Sequence, residues 1–189
     1  RLLFRVTIRT QDLVENRIKG DQWASLKPRT PFGQLPVLRH GSVRLAQSVA
    51  IMQYVAQQLN LAPYADERLG TALQIALAVE DLRTSSNNNK NDKDAQLKIQ
   101  KSYASHFEKI LQHSDRKADE KDEPVFFADG KLTFADVTVY DTFEQINGAP
   151  IEQFIETLKG SEWNAPLLSS LLKYVHARAT GRSGDAKEL

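Results

Sequence analysis

Two pairs of polar residues between positions 23 and 48 have the chemistry to bind carboxylates. Trp23 and Lys27 are four residues apart, so on one helical turn an indole N–H and an ammonium could hold an anion together. Gln47 and Ser48 precede an apolar helical pattern, and free N–H groups with the positive end of the helix dipole attract carboxylates there. The alternative interpretations are a packed tryptophan beside a solvated lysine, and a serine that only caps its helix.

Between these pairs lies Gln34-Leu35-Pro36, which follows a glycine turn at Gly33. The Leu35–Pro36 bond is a candidate cis peptide, because X–Pro bonds favour trans by only about 0.5–1 kcal/mol. A cis bond would leave the Leu35 N–H and C=O as an unpaired edge for an extended peptide. Alternatively, Pro36 simply begins an edge strand. Taken together, the three clusters predict a groove for a short extended peptide with a carboxylate at each end.

The elements around these clusters predict a small α/β unit over residues 1–62. An opening helix, a strand at 13–18 and a hairpin of strands at 36–40 and 43–45 around Gly41 precede a helix that begins at Ser48. Residues 60–65 (NLAPYA) are typical of a linker. We therefore predict a domain boundary there, with a second domain over 63–189.

The second domain is predicted to be all-helical with a flexible tail. Helical periodicity covers residues 69–83, 95–112, 134–145, 151–159 and 166–179. Polar stretches predict loops at 85–94 and 115–123, and residues 181–189 form the tail.

Composition excludes several functions. The 189 residues include 25 Lys and Arg against 24 Asp and Glu, so the net charge of +1 gives no overall field for nucleic acid or an anionic membrane. Cysteine is absent, which removes disulfides, thiolate metal sites and a cysteine nucleophile. The four histidines form no metal-binding pattern, so no metal is expected. No membrane span or signal peptide is found, and because the chain opens on Arg1 we expect upstream residues.

Four segments carry a resemblance to a known family: WxxLKP from Trp23, TPFGQLPVL, LAQSVAIMQYVA and KLTFADVTVYD. Over residues 1–179 the chain resembles the glutathione S-transferases, above all their sigma-like branch with the prostaglandin D synthase type. The resemblance implies a thioredoxin-like N-terminal domain, here lacking its first strand, and an all-α C-terminal domain. It also implies a cytoplasmic homodimer, an electrophile pocket between the domains, and detoxification chemistry with glutathione as co-substrate.

The resemblance also implies roles for individual residues. Leu35, beside Pro36, would pair with the cysteinyl backbone of glutathione, and Gln47 and Ser48 would hold its γ-glutamyl carboxylate. The glycyl end would be held by Trp23, Lys27 and Gln34. Asp81, or less favourably Glu80, would reach the γ-glutamyl amine bound by the partner subunit; the alternative is an ordinary exposed helical carboxylate. Thr133 and Asp136 match the family's capping box, whose role is structural.

The resemblance leaves the catalytic residue unnamed. In the family, a tyrosine at the end of the first strand donates a hydrogen bond to the glutathione sulfur and favours the thiolate. This sequence starts inside the first helix, and its five tyrosines fall in later helices or connections. The leading hypothesis is a transferase that conjugates or isomerises small electrophiles. The alternatives are a catalytically silent structural or interaction subunit, in a larger assembly, and a ligand carrier without turnover.

Overall fold

The computed structural model describes residues 16–63, 67–114, 124–128, 130–148 and 151–181. Its N-terminal part contains helix α1 (Gly20–Leu26), one 3-10 turn (Lys27–Arg29), strands β1 (Val37–His40) and β2 (Val43–Ala46), and helix α2 (Ser48–Gln58). The predicted hairpin and the helix after it are therefore confirmed. Together they form a thioredoxin-like domain with a short two-strand sheet.

The hairpin has an antiparallel register that fixes the start of α2. Val37 pairs with Ala46 and His40 pairs with Val43 across a two-residue turn. Gly41 in that turn has φ +57°, a conformation that glycine adopts without steric cost. Because Ala46 lies opposite Val37, the chain enters α2 beside the residue that precedes β1.

The C-terminal part is helical, as predicted. It contains α3 (Glu67–Asn88), α4 (Lys93–Gln112), α5 (Phe134–Asn147), α6 (Ile151–Thr157) and α7 (Pro166–Thr180). The central helix is α5, whose first seven residues are all buried and which packs against α2, α3, α6 and α7. Among the residues that the structure covers, no helix has the length and apolar character to cross a membrane.

Helix α2 joins the two parts. Its Met52 accepts a hydrogen bond from the Thr138 hydroxyl of α5 at 2.7 Å. After α2, the carbonyl of buried Leu61 accepts the N–H of Phe134, the first residue of α5, at 2.8 Å. The connection after α2 is thus tied to the start of the central helix, although the predicted boundary near residue 62 remains a prediction.

The predicted capping box at the start of α5 is confirmed. The Thr133 hydroxyl and N–H both donate to Asp136 Oδ2 at 2.7 Å, and the N–H of Phe127 donates to Oδ1 at 3.0 Å. Asp136 is completely buried, and this burial raises its pKa to about 6 although the three hydrogen bonds oppose the shift. The capping box therefore also anchors the segment that contains Phe127.

Two predictions from the sequence are wrong in the described residues. Residues 16–18 of the predicted strand have no regular secondary structure. The loop predicted over 85–94 is helical through Asn88, and α4 already begins at Lys93. The Ser85 and Ser86 carbonyls there accept hydrogen bonds from Asn89 Nδ2 and Gln96 Nε2, which stabilises the last turn of α3.

Several other predictions lie outside the described residues. They are the opening helix, residues 13–15 of the predicted strand, the charged loop at 115–123 and the tail beyond Gly181.

Candidate functional site

Lys27 is held over the glycine turn that leads into the predicted groove. Its N–H donates to the Trp23 carbonyl at the end of α1, and Trp23 itself is half-buried. A methyl group built on Gly33 would lie 3.4 Å from Lys27 Cε, so the lysine stem crosses the turn in van der Waals contact. Gly33 has φ +63°, which favours glycine there. The lysine stem therefore lies beside the turn that precedes exposed Gln34.

The predicted cis peptide bond between Leu35 and Pro36 is confirmed. The Leu35 side chain is 51% exposed. Within the described part of the chain, no group hydrogen-bonds to the Leu35 N–H or C=O. The main chain therefore presents a free donor and a free acceptor immediately before β1, as addition of an extended peptide requires.

The register of the hairpin places Gln47 and Ser48, the residues predicted to bind the second carboxylate, at the same end of the hairpin as this free main chain. Val37 and Ala46 form the last pair at this end of the hairpin, so Pro36 and Gln47 each lie one residue beyond that pair, and Ser48 follows Gln47 at the start of α2. The sheet edge and the helix N-terminus, which are more than ten residues apart in sequence, are thus neighbours in the fold.

The predicted role of Ser48 as N-cap is wrong. Ser48 is the first residue of α2 and Gln47 occupies the N-cap position, where its carbonyl accepts the N–H of Ile51 at 3.0 Å. No side chain caps this end. By helix geometry, the N–H groups of Ser48, Val49 and Ala50 have no acceptor within the helix. They remain available, together with the half-buried Ser48 hydroxyl, to an anionic ligand.

Gln47 has an unusual backbone conformation that the sequence did not predict. Its φ is +75° and its ψ is 120°, values that L-residues rarely adopt. A strained conformation of this kind persists only where the surrounding structure holds it, and such residues cluster at ligand sites. A glutamine between a strand and a helix carries no sequence signal for this strain.

Asp81 lies apart from the other seven predicted residues, on the exposed side of α3. Burial and then the Asp81 charge raise the pKa of Tyr103 on the adjacent α4. The less favoured candidate, Glu80, instead forms an ion pair with Arg83 at 2.8 Å. Within the described chain the structure therefore leaves Asp81, rather than Glu80, available to another molecule.

The tyrosines in the described residues have other partners or lie in helices, as predicted. Tyr54 of α2 contacts His40 Nδ1 at 2.7 Å, and Tyr140 of α5 contacts Glu144 and His176. Burial, followed by the hydrogen bond to Glu144, raises the pKa of Tyr140. Tyr174 of α7 lies beneath the Arg178 guanidinium, and Tyr64 lies outside the described residues. No group of three or more possible metal ligands is assembled in the part of the chain that the structure covers.

A thioredoxin-like domain with a cis-proline before its hairpin, followed by a helical bundle, defines a two-part class of folds. The family models confirm and sharpen this assignment. The model for "Glutathione S-transferase, N-terminal domain" matches residues 2–57, and that for "Glutathione S-transferase, C-terminal domain" matches residues 77–180. The chain belongs to the glutathione S-transferase family.

Individual relatives agree with this assignment. Glutathione S-transferase 2 of Manduca sexta is 31% identical over 141 residues, covering 72% of this chain and 68% of that protein. The structure of a monomeric glutathione S-transferase from the hookworm Necator americanus matches with a TM-score of 0.72 at 19% identity, covering 98% of this chain and 91% of that one. A prostaglandin synthase D structure from Nilaparvata lugens matches with a TM-score of 0.62, also at 19% identity, over 95% and 87% of the two chains. These two structures support the fold alone.

Proposed function

We propose that the protein is a glutathione transferase of sigma-like type that conjugates or isomerises small electrophiles by means of the glutathione thiolate. The observation that carries the proposal is the hairpin register, which brings the free Leu35 main chain and the open N-terminus of α2 to the same end of the hairpin. A tripeptide with two carboxylates is complementary to this arrangement. Its backbone would pair with Leu35, and its γ-glutamyl carboxylate would bind at Gln47 and Ser48.

The glycyl carboxylate would bind at the other end of the groove. Lys27 supplies the charge, and exposed Gln34 and the Trp23 indole supply further hydrogen-bond donors. A tripeptide fixed at both ends would hold its cysteine at a defined place, so proximity would provide much of the rate enhancement for an electrophile bound nearby.

The proposal includes a cytoplasmic homodimer in which Asp81 contributes to the partner's site. Leu77 lies four residues before Asp81 on α3, therefore on the same face, and is 56% exposed. An exposed apolar side chain beside a free carboxylate supports a contact between two copies at this face.

Retention on a glutathione matrix, combined with conjugation of chlorodinitrobenzene, tests the proposed function. The double variant Gln47→Ala with Ser48→Ala removes side chains at the carboxylate site and should weaken retention at least about tenfold, since hydrogen bonds to charged groups contribute roughly 1.5–3 kcal/mol. Its helical content by circular dichroism should not change. The matched control is Gln57→Ala with Gln58→Ala, at the exposed far end of α2, which should be retained normally.

Each result leads to a different conclusion. Retention that survives the double variant would show that the carboxylate site is misplaced. Retention of the original protein without turnover would favour the catalytically silent binding module. Loss of retention in the control as well would point to general damage to α2.

A further inference from the structure

A cavity lies in the helical part, where the end of α3, the start of α4 and the end of α5 meet. Its volume is about 320 Å³, at the lower end of the range for small-molecule sites. Its lining contains two cations, four other polar residues and one apolar residue: Arg83, Ser86, Asn87, Lys90, Gln96, Gln145 and Ile146. The described lining residues include no carboxylate and none of the eight residues predicted to bind glutathione.

Two of the lining residues have buried polar atoms without hydrogen-bond partners in the described part of the chain. Ser86 is only 4% exposed, and its hydroxyl has no hydrogen-bond partner among the described residues; the same is true of Arg83 Nε. Gln100 Oε1 and Thr142 Oγ1, also buried and unpartnered within the described chain, lie about one turn from the lining residues Gln96 and Gln145. Buried polar groups in folded proteins normally find partners, so this concentration indicates a place for a polar ligand.

Of the two cations at the cavity, Lys90 is the one that can attract an anion by its charge, whereas Arg83 offers a free N–H. The two terminal nitrogens of Arg83 bind Glu80 at 2.8 Å and Asp141 at 3.1 Å, which fixes the guanidinium and leaves Nε free. In the described part of the chain, Lys90 has no carboxylate partner, so its charge is not offset by a direct ion pair. The Ser86 carbonyl already accepts from Gln96 Nε2 at 3.2 Å.

We propose that this cavity binds a small molecule that carries one carboxylate group. The Lys90 ammonium and the Ser86 hydroxyl bind the carboxylate, with Arg83 Nε–H as a further donor. The apolar body of the ligand packs against Ile146 and the side-chain stems. The site is separate from the glutathione groove and does not depend on its function.

Titration of the full chain with benzoate and with benzamide tests this proposal, since the two probes share a shape and differ in charge. Binding is measured by calorimetry and by ligand-observed NMR. Benzoate should bind at least about fivefold more tightly than benzamide, because charge-assisted hydrogen bonds are the stronger ones. Lys90→Gln and Ser86→Val should each weaken benzoate binding by a similar factor. The control Lys98→Gln, an exposed position on α4 outside the cavity, should bind benzoate like the original protein.

Three outcomes would overturn the proposal: equal binding of the two probes, benzoate binding that neither cavity variant changes, and no binding of benzoate to the original protein. Lys90 is exposed, so Lys90→Gln keeps the test valid even if Ser86→Val fails to fold. All variants that fold should be retained on the glutathione matrix unchanged. A failure of this site is therefore distinguishable from a failure of the proposed transferase function.

Discussion

The start of α7 depends on a carboxylate supplied by a different helix. Ala165 occupies the N-cap position and offers no capping side chain. Instead Glu108 of α4, which is only 3% exposed, accepts the N–H of Leu168 at 2.9 Å through Oε2 and the N–H of Leu167 at 3.3 Å through Oε1. The negative charge also lies at the positive end of the α7 dipole. Glu108 thus caps α7 and fastens it to α4.

The cost of removing this cap can be estimated from its geometry. In Glu108→Ala, the N–H of completely buried Leu168 has no partner and no access to water. The lost hydrogen bond to a charged group contributes about 1.5–3 kcal/mol to stability. The longer bond and the helix dipole add about 0.5–1 kcal/mol. We expect Glu108→Ala to lower the free energy of unfolding by about 2–4 kcal/mol. Glu108→Gln keeps one carbonyl acceptor, so this variant should lower the free energy of unfolding by roughly half as much.

Urea denaturation, followed by circular dichroism, measures the free energy of unfolding of both variants. The comparison requires that the slope of this free energy against urea concentration is the same in each variant. The matched control is Glu162→Ala, which removes a 69% exposed carboxylate paired with Lys101 at 3.2 Å. This exposed ion pair should contribute less than about 1 kcal/mol. The reasoning is refuted if Glu108→Ala costs no more than the control, or if Glu108→Gln destabilises the protein as strongly as Glu108→Ala.

Two further predictions concern Asp136 and Gln47. The pKa of Asp136 is about 6 in the folded protein, compared with a reference value of 3.8, so the folded protein binds the proton of this carboxyl more tightly than the unfolded chain does. The stabilisation that this proton provides is therefore full below about pH 4 and is lost as the pH rises through 6. Relative to Asp136→Asn, the protein should therefore lose about 2–2.5 kcal/mol between pH 4 and 7 in urea denaturation; parallel pH curves would contradict this. Gln47→Gly should be about 1 kcal/mol more stable than Gln47→Ala by thermal or urea unfolding, because glycine accepts φ +75° without strain. Equal stability would show that Gln47 is not strained.

Much of the fold follows from patterns that are local in the sequence. The apolar periodicity predicted the five helices of the C-terminal part, and Gly41 between two β-prone runs predicted the hairpin. Thr133 and Asp136 predicted the start of α5, because a capping box acts over only three residues. The proline after a glycine turn predicted the cis bond at Leu35–Pro36, which the structure contains.

Local patterns and motifs also predicted the residues of the groove, but they did not predict how those residues are placed relative to one another. The stem of Lys27 lies beside Gly33 because of the turn there, and the segments that contain Pro36 and Gln47 meet at one end of the hairpin because of its register. Their binding roles remain predictions that the retention experiment tests.

Contacts between distant residues decided the rest. Gln96 binds the Ser86 carbonyl and helps to extend α3 where asparagines and serines alone predicted a loop. Glu108 caps α7 by accepting hydrogen bonds from residues about 60 positions further along the chain. The packing of three helices leaves the Ser86 hydroxyl beside a cavity and without a partner among the described residues. Sequence patterns report preferences within a few residues, each of a kcal/mol or less, whereas buried charges and hydrogen bonds from distant elements contribute more and override them.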